Sequence, residues 1–261
     1  MIIHICIRVK QWNFIKFNSE NMPRIKTSKG VITYKTHPLF LGVKKIDKKI
    51  AAENLLLLKY FLDGKGIAFG LIAGTLLGAV RENDFISHDE DVDLSFLAEQ
   101  KEILLDSLPE MKTMGFEVAR YDRRGLLSII RKGEYIDIYF FEKLCDGIRH
   151  CCGWCVPETF LKETTNFGFK GVEFTIPRDY IGFLEYEYGE NWKTPVKWVD
   201  FDMPGWKRKL NEWKETVKEL LPDRIFYGIT KKTEQNLMKK YQSKINRYNA
   251  THSTTLQIIY K

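Results

Sequence analysis

Nowhere does this chain of 261 residues string together the ~20 consecutive apolar residues that a membrane-crossing helix requires. Its opening stretch, Met1 to Val9, alternates apolar and polar residues like a strand and lacks the continuous apolar core of a secretory signal. A cytoplasmic protein is therefore expected, with at most peripheral attachment to a membrane. No internal repeat and no low-complexity tract occur, which excludes solenoid and fibrous architectures. No lysine follows the glycines in the manner of a P-loop, and there is no G-x-G-x-x-G, which argues against a P-loop kinase and a dinucleotide-binding domain. The five cysteines are an odd number without a secretory context, so reduced thiols are expected rather than a disulfide framework. Four of them, Cys145, Cys151, Cys152 and Cys155, crowd around His150. A zinc site there would need Cys145 or His150 to fold back within a very short loop, and buried strand cysteines are the expectation.

What is present suits one α/β domain with an appendage: 44% hydrophobic residues and 13% aromatics are enough for a sizeable core. The formal charge of +7 is unevenly placed. Residues 1–37 carry +6 (7 basic, 1 acidic), residues 38–205 carry −7 (21 basic, 28 acidic) and residues 206–261 carry +8 (13 basic, 5 acidic). Basic flanks of this kind suit an anionic membrane surface, nucleic acid or the acidic centre itself, and a solvated face is the ordinary alternative.

The chemistry is concentrated between Gly70 and Phe96. Ile67 to Ala73 reads as an apolar strand, Gly74-Thr75 as a tight turn, Leu76 to Glu82 as a short helix and Val92 to Phe96 as a second strand. Side chains alternate along a strand, so Asp91 and Asp93 point the same way. Two carboxylates side by side repel each other, a cost usually tolerated because a cation sits between them, and all-oxygen ligation suits Mg2+ or Mn2+. Gly74 permits close backbone approach, Thr75 adds a hydroxyl at a helix N-terminus, and amides there attract phosphate. Arg81, two helical turns on, suits a phosphate oxygen; it could equally pair with Glu82 or Asp84 on the surface. Asp89, Asp91 and Asp93 also spell the start of a calcium loop, but Leu94 replaces the obligatory glycine and Gln100 the bidentate glutamate. An acidic surface loop over residues 84–93 is the remaining alternative.

Around this centre the periodicity predicts a helix over Gly42 to Asp63 stopped by Gly64 and helical pieces over Glu99 to Met114 split by Pro109. Strands follow at Phe116 to Tyr121, Leu126 to Arg131 and Tyr135 to Phe141. Asp137 lies in the last of these, flanked by Ile136 and Ile138, where an acid is strongly disfavoured unless a metal or hydrogen bonds compensate it. Irregular hairpins are expected over residues 150–176, then a helix from Pro177 through Tyr188 closed by Gly189. Two helices follow, one from Trp206 with the stripe Trp206, Leu210, Trp213, Val217 and Leu220, and one over Lys231 to Tyr248. The domain reading is an N-terminal extension (1–40), a catalytic domain (41–205) and a basic helical tail (206–261).

The run GTLLGAVR, a short spacer and DEDVDL resembles the LicD/fukutin family. Further similarity follows in family order, at Tyr135-Ile136-Asp137-Ile138, Ile176-Pro177-Arg178-Asp179 and Tyr188-Gly189-Glu190-Asn191-Trp192. Glu90 and His88 depart from the family in detail and leave the Asp91/Asp93 pair untouched. The resemblance implies an α/β (α+β) fold of the polymerase-beta-like nucleotidyltransferase type, a mixed sheet flanked by helices with a helical C-terminal appendage. It also implies a metal-dependent transferase that moves a phosphorylated alcohol, such as phosphocholine or an alditol phosphate, from a CDP-linked donor to a glycan or glycolipid. In that frame Asp91 and Asp93 hold the metal, and Asp137 completes its site and takes the proton of the attacking hydroxyl. Gly74, Thr75 and Arg81 contact the donor phosphate. Nucleotidyl transfer to RNA or a small molecule, or a non-catalytic module for an anionic polymer, are the rival readings.

Overall fold

The computed structural model describes residues 22–37, 44–195 and 204–259; the expected strand at Met1 to Val9 lies outside them. A hairpin of β1 (Arg24–Thr27) and β2 (Gly30–Thr33) leads to α1 (Lys48–Gly64). Asp47 caps α1 by accepting the N–H groups of Lys49 and Ile50 at 3.0 and 3.1 Å, the usual role of an acid before the first turn. Ala51, Leu55, Leu58 and Leu62 form its buried face, which is the 3.6-residue period of an amphipathic helix.

Next come β3 (Gly70–Leu71), α2 (Ala73–Glu82), β4 (Asp91–Leu97), α3 (Lys101–Thr113), β5 (Glu117–Asp122), β6 (Leu126–Arg131) and β7 (Glu134–Cys145). The sheet order is β3-β4-β7-β6-β5. Only β4 and β7 among these neighbours run parallel; the other pairs are antiparallel. The parallel step needs a long crossover, and the chain between the two strands supplies it. The far half of β7 pairs with β8 (Ile148–Cys151), which pairs with β9 (Trp154–Pro157). After the single turn α4 (Thr159–Lys162), a separate hairpin of β10 (Thr164–Phe169) and β11 (Val172–Pro177) precedes α5 (Tyr180–Tyr188). Val92, Leu94 and Phe96 of β4 are buried with Ile136, Ile138 and Phe140 of β7. The mixed sheet with flanking helices and a helical C-terminal appendage is the architecture the sequence predicts.

Several boundaries differ from expectation for physical reasons. The strand at Ile67 to Ala73 shrinks to β3, and Gly74-Thr75 is the first turn of α2 rather than a turn before it. Pro109 lies inside an unbroken α3, because Leu104, Leu105, Leu108 and Met111 are buried on both sides of it and that burial outweighs one lost amide. Pro177 ends β11 and does not open α5, whose cap is Asp179, bonded to the Gly182 N–H at 2.9 Å. Residues 150–176 are regular hairpins joined by α4, and the cysteines, from Cys145 at the end of β7 to Cys155 in β9, are ordinary core and edge residues. Cys151 and Cys155 are buried, burial pushes the Cys155 thiol up to about 12, and Cys145 donates to the Gln257 carbonyl.

The tail forms α6 (Gly205–Leu220) and α7 (Asp223–His252). Met238, Ile245 and Tyr248 of α7 join the same hydrophobic core as the sheet, so this helix does not bury its apolar stripe against a core of its own. α6 is held at its C-terminal end. Arg123 donates to the carbonyls of Glu219 and Leu221 at 2.6 and 2.7 Å, and the Tyr34 hydroxyl donates to the Glu219 carboxylate.

Burial pushes that carboxylate up to about 7, from 4.5. The folded state keeps a proton there that the unfolded chain releases, so this contribution is full below about pH 4.5 and is lost as pH rises through about 7. Glu219→Gln, neutral throughout, is expected to exceed the parent by about 2 kcal/mol at pH 8 and by nothing at pH 4.5. Urea midpoints of the two proteins at both pH values check this.

Candidate active site

The first carboxylates come from the alternation of β4. One face of the strand sends Val92, Leu94 and Phe96 into the core; Asp91, Asp93 and Ser95 take the other. Parallel pairing with β7 sets Asp93 opposite Asp137, antiparallel pairing sets Asp137 opposite Ser128 of β6, and Ser128 lies opposite Arg120 of β5. The outcome is one polar row across four strands: Asp93, Asp137, Ser128, Arg120.

Within the row, Arg120 Nη2 donates to Asp137 Oδ2 at 3.0 Å, and its Nε and Nη2 reach Ser128 Oγ at 3.1 and 3.0 Å. Asp137 is therefore not the isolated acid its strand suggests. A half-buried arginine compensates it, and Asp137 first, then Tyr139, Glu219 and Asp91, hold the guanidinium above its ordinary range against the opposing effect of desolvation.

Asp93 is 6% exposed. Its Oδ2 accepts the Gly74 N–H at 3.0 Å and its Oδ1 the Tyr139 hydroxyl at 3.2 Å. Burial pushes the carboxyl well up, the charges of Asp89 and Asp137 push it further, and the two donors pull it back. Asp91 is likewise raised by burial first, then by Asp93, Asp137, Asp89 and Glu90. Like charges so placed favour a cation among them. The donor set is oxygen only, which fits a hard divalent ion such as Mg2+ or Mn2+, with Asp91 and Asp93 as its holders. Among the described residues no group of three His, Cys, Asp or Glu side chains is disposed to hold a metal as it stands; in this structure Asp137 is engaged by Arg120.

The Gly74-Thr75 step serves the carboxylates. Thr75 is 1% exposed and its hydroxyl accepts the Asp93 N–H at 2.8 Å, so it fixes β4 to α2 instead of facing a phosphate. Ala73, the first residue of α2, has φ +48°, a strained value for a residue with a Cβ. A Cβ on Gly74 would stand 2.3 Å from Asp89 Oδ2 and 3.2 Å from Asp93 Oδ2. Gly74→Ala is expected to displace the Asp89 carboxylate and cut turnover by about 10- to 100-fold. The thermal midpoint should hold, because the crowded atom ends a side chain and alanine favours helix by ~1 kcal/mol. Parallel melting and turnover measurements check both halves.

Arg81 Nη2 pairs with Glu82 Oε1 at 2.7 Å and Nη1 donates to the Trp192 carbonyl at 3.2 Å. Of the two surface partners considered, Glu82 is the one it takes; Asp84 instead pairs with Lys48 and Lys170. The Nε atom of Arg81 is buried without a hydrogen-bond partner.

Two residues of the site escaped sequence reasoning. Tyr139 lies two positions beyond Asp137 on the same strand face, so strict alternation through the apolar run could have found it. Arg120 carries no local signal at all, since its role depends on a register two strands away.

Residues 66–179 match the family model for LicD/FKTN/FKRP, nucleotidyltransferase domain. The chain is 24% identical over 195 residues to the uncharacterized protein RT0683 of Rickettsia typhi, covering 73% of this chain and 57% of that one. It is 27% identical over 191 residues to the human ribitol-5-phosphate transferase FKTN, covering 66% of this chain and 40% of that one. The chain thus spans little more than half of the first relative and two fifths of the second. Among solved structures, the lincomycin-bound lincosamide antibiotic adenylyltransferase LnuA aligns at 10% identity and a TM-score of 0.39, covering 64% of this chain and 94% of that one. An overlap that low carries no weight for function.

Proposed function

Because the chain carries a LicD/FKTN/FKRP nucleotidyltransferase domain over residues 66–179, we propose that it transfers a phosphorylated alcohol from a CDP-linked donor to a carbohydrate acceptor. The observation that supports this most is the meeting of Asp91 and Asp93 with Asp137 on two parallel strands of that domain, at the first turn of α2. The activity of the human relative, ribitol-5-phosphate transfer, favours an alditol phosphate or similar group as cargo.

Asp91 and Asp93 would hold the divalent ion, which when bound supplies charge neutralisation at the donor diphosphate. Arg120 keeps the Asp137 carboxylate in place through Oδ2, leaving Oδ1 to accept the proton of the acceptor hydroxyl. The hydroxyl oxygen then bonds to the phosphorus bearing the alcohol, the bond from that phosphorus to the bridging oxygen breaks, and CMP leaves with the electron pair. Arg81, on α2 with an unpartnered Nε, would exchange its Glu82 pairing for the charge that accumulates on the leaving phosphate.

Incubation with magnesium and a panel of CDP-linked and nucleoside triphosphate donors, followed by identification of the released nucleotide, tests the reading. CMP release supports it. Pyrophosphate release would make the chain a nucleotidyltransferase, and no turnover with any donor would favour a binding module.

A further inference from the structure

We infer that α6 is a foot that lies in the surface of an anionic phospholipid bilayer. The helix shows its apolar stripe to solvent: Trp206 is 69% exposed, Trp213 52% and Leu210 40%. These residues fall at i, i+4 and i+7, one line along the helix, and Leu220 continues it, also exposed. Most large apolar side chains of this protein are buried; here two tryptophans share one exposed line. Exposed Lys207, Lys209 and Lys214 flank the stripe, while the acidic Glu215 is paired with Lys218. The tail as a whole carries 13 basic against 5 acidic residues.

This combination identifies the occupant. Tryptophan rings favour the headgroup region, where an apolar body and a polar N–H are both satisfied. Lysines beside an apolar stripe complement anionic headgroups, and a helix of this kind lies in the interface plane. No helix among the described residues is long and apolar enough to cross a membrane, so attachment would be to the surface. The charged flanks repel a second copy of the same helix. Arg123 and Tyr34 hold α6 at its C-terminal end, and the line of Trp206, Leu210 and Trp213 stays exposed. Ile225, Tyr227 and Ile229 in the first two turns of α7 are exposed as well and extend the apolar surface beyond α6.

The test uses the full chain with phosphatidylcholine vesicles, with and without phosphatidylglycerol, in a co-sedimentation assay. Binding is expected only to the anionic vesicles, and it should weaken with added salt. Trp206→Ala combined with Trp213→Ala should lower it roughly tenfold or more with an unchanged urea midpoint. Brominated phospholipid should quench part of the tryptophan fluorescence of the parent. A Trp206→Phe/Trp213→Phe variant, which keeps the fold and the apolar stripe, should still bind and lose that quenching. Three results would each overturn the inference: no binding to anionic vesicles at low salt, binding indifferent to both tryptophans, or a concentration-dependent dimer that the alanine variant dissolves in the absence of any vesicle binding. None of these measurements involves a donor or turnover, so the inference stands or falls apart from the proposed reaction.

Discussion

Asp93→Asn is expected to abolish turnover, by about 10³-fold or more, while raising the stability of the fold by about 1–2 kcal/mol. The two effects have one cause. Asp93 is buried beside Asp89 and Asp137 and its carboxyl is pushed well above the ordinary range, so a full negative charge there is costly until a cation joins it. Asparagine removes the charge, retains a carbonyl oxygen for the Gly74 amide, and turns an NH2 group toward the Tyr139 hydroxyl, whose oxygen can accept from it. What it cannot do is hold a divalent ion against a diphosphate. Turnover and denaturant midpoints, measured on the same preparations without added metal for the midpoints, check the pair of signs. An active Asp93→Asn protein would remove Asp93 from the chemistry, and a destabilised one would mean that its charge is compensated.

Asp137→Asn is expected to lose about 10²- to 10⁴-fold in turnover, the range for removal of a general base, with donor affinity largely kept. Its stability should move the other way, down by about 1–3 kcal/mol, because this carboxylate is the partner of Arg120 at 3.0 Å. Removing one member of a buried pair leaves the other uncompensated. Opposite stability changes at Asp93 and Asp137, two acids opposite each other in register, would separate a carboxylate waiting for a cation from one that already has an arginine. Donor binding by calorimetry and single-turnover rates distinguish loss of the proton acceptor from loss of metal affinity. Equal loss of donor binding in both variants would assign Asp137 to the metal.

Much of this was legible along the chain. The alternation of Asp91 and Asp93, the apolar setting of Asp137 and the Gly-Thr step each follow from local rules of strand and helix, and they pointed to one centre before any fold was known. Local rules also carried errors. Pro109 reads as a helix break from its missing amide, yet the leucines around it bury enough surface to keep α3 whole. Thr75 reads as a phosphate ligand from its place at a helix start, yet its hydroxyl is consumed by the Asp93 amide, which lies 18 positions away.

The sequence by itself determined most of the helices and strands, the carboxylates that share one face of β4, and the match of residues 66–179 to the LicD/FKTN/FKRP model, since each depends on periodicity or motif within a few residues. Tertiary structure alone decided that Asp137 has Arg120 for a partner, that the Gly74 amide in the first turn of α2 goes to Asp93, and that α7 joins the central core while the tryptophan line of α6 stays outside it. The physical reason is register. A side chain's face follows from its own strand or helix, but its neighbour across a sheet is set by how distant strands align to bury Val92, Leu94, Ile136 and Ile138 together, and that alignment is a property of the whole core.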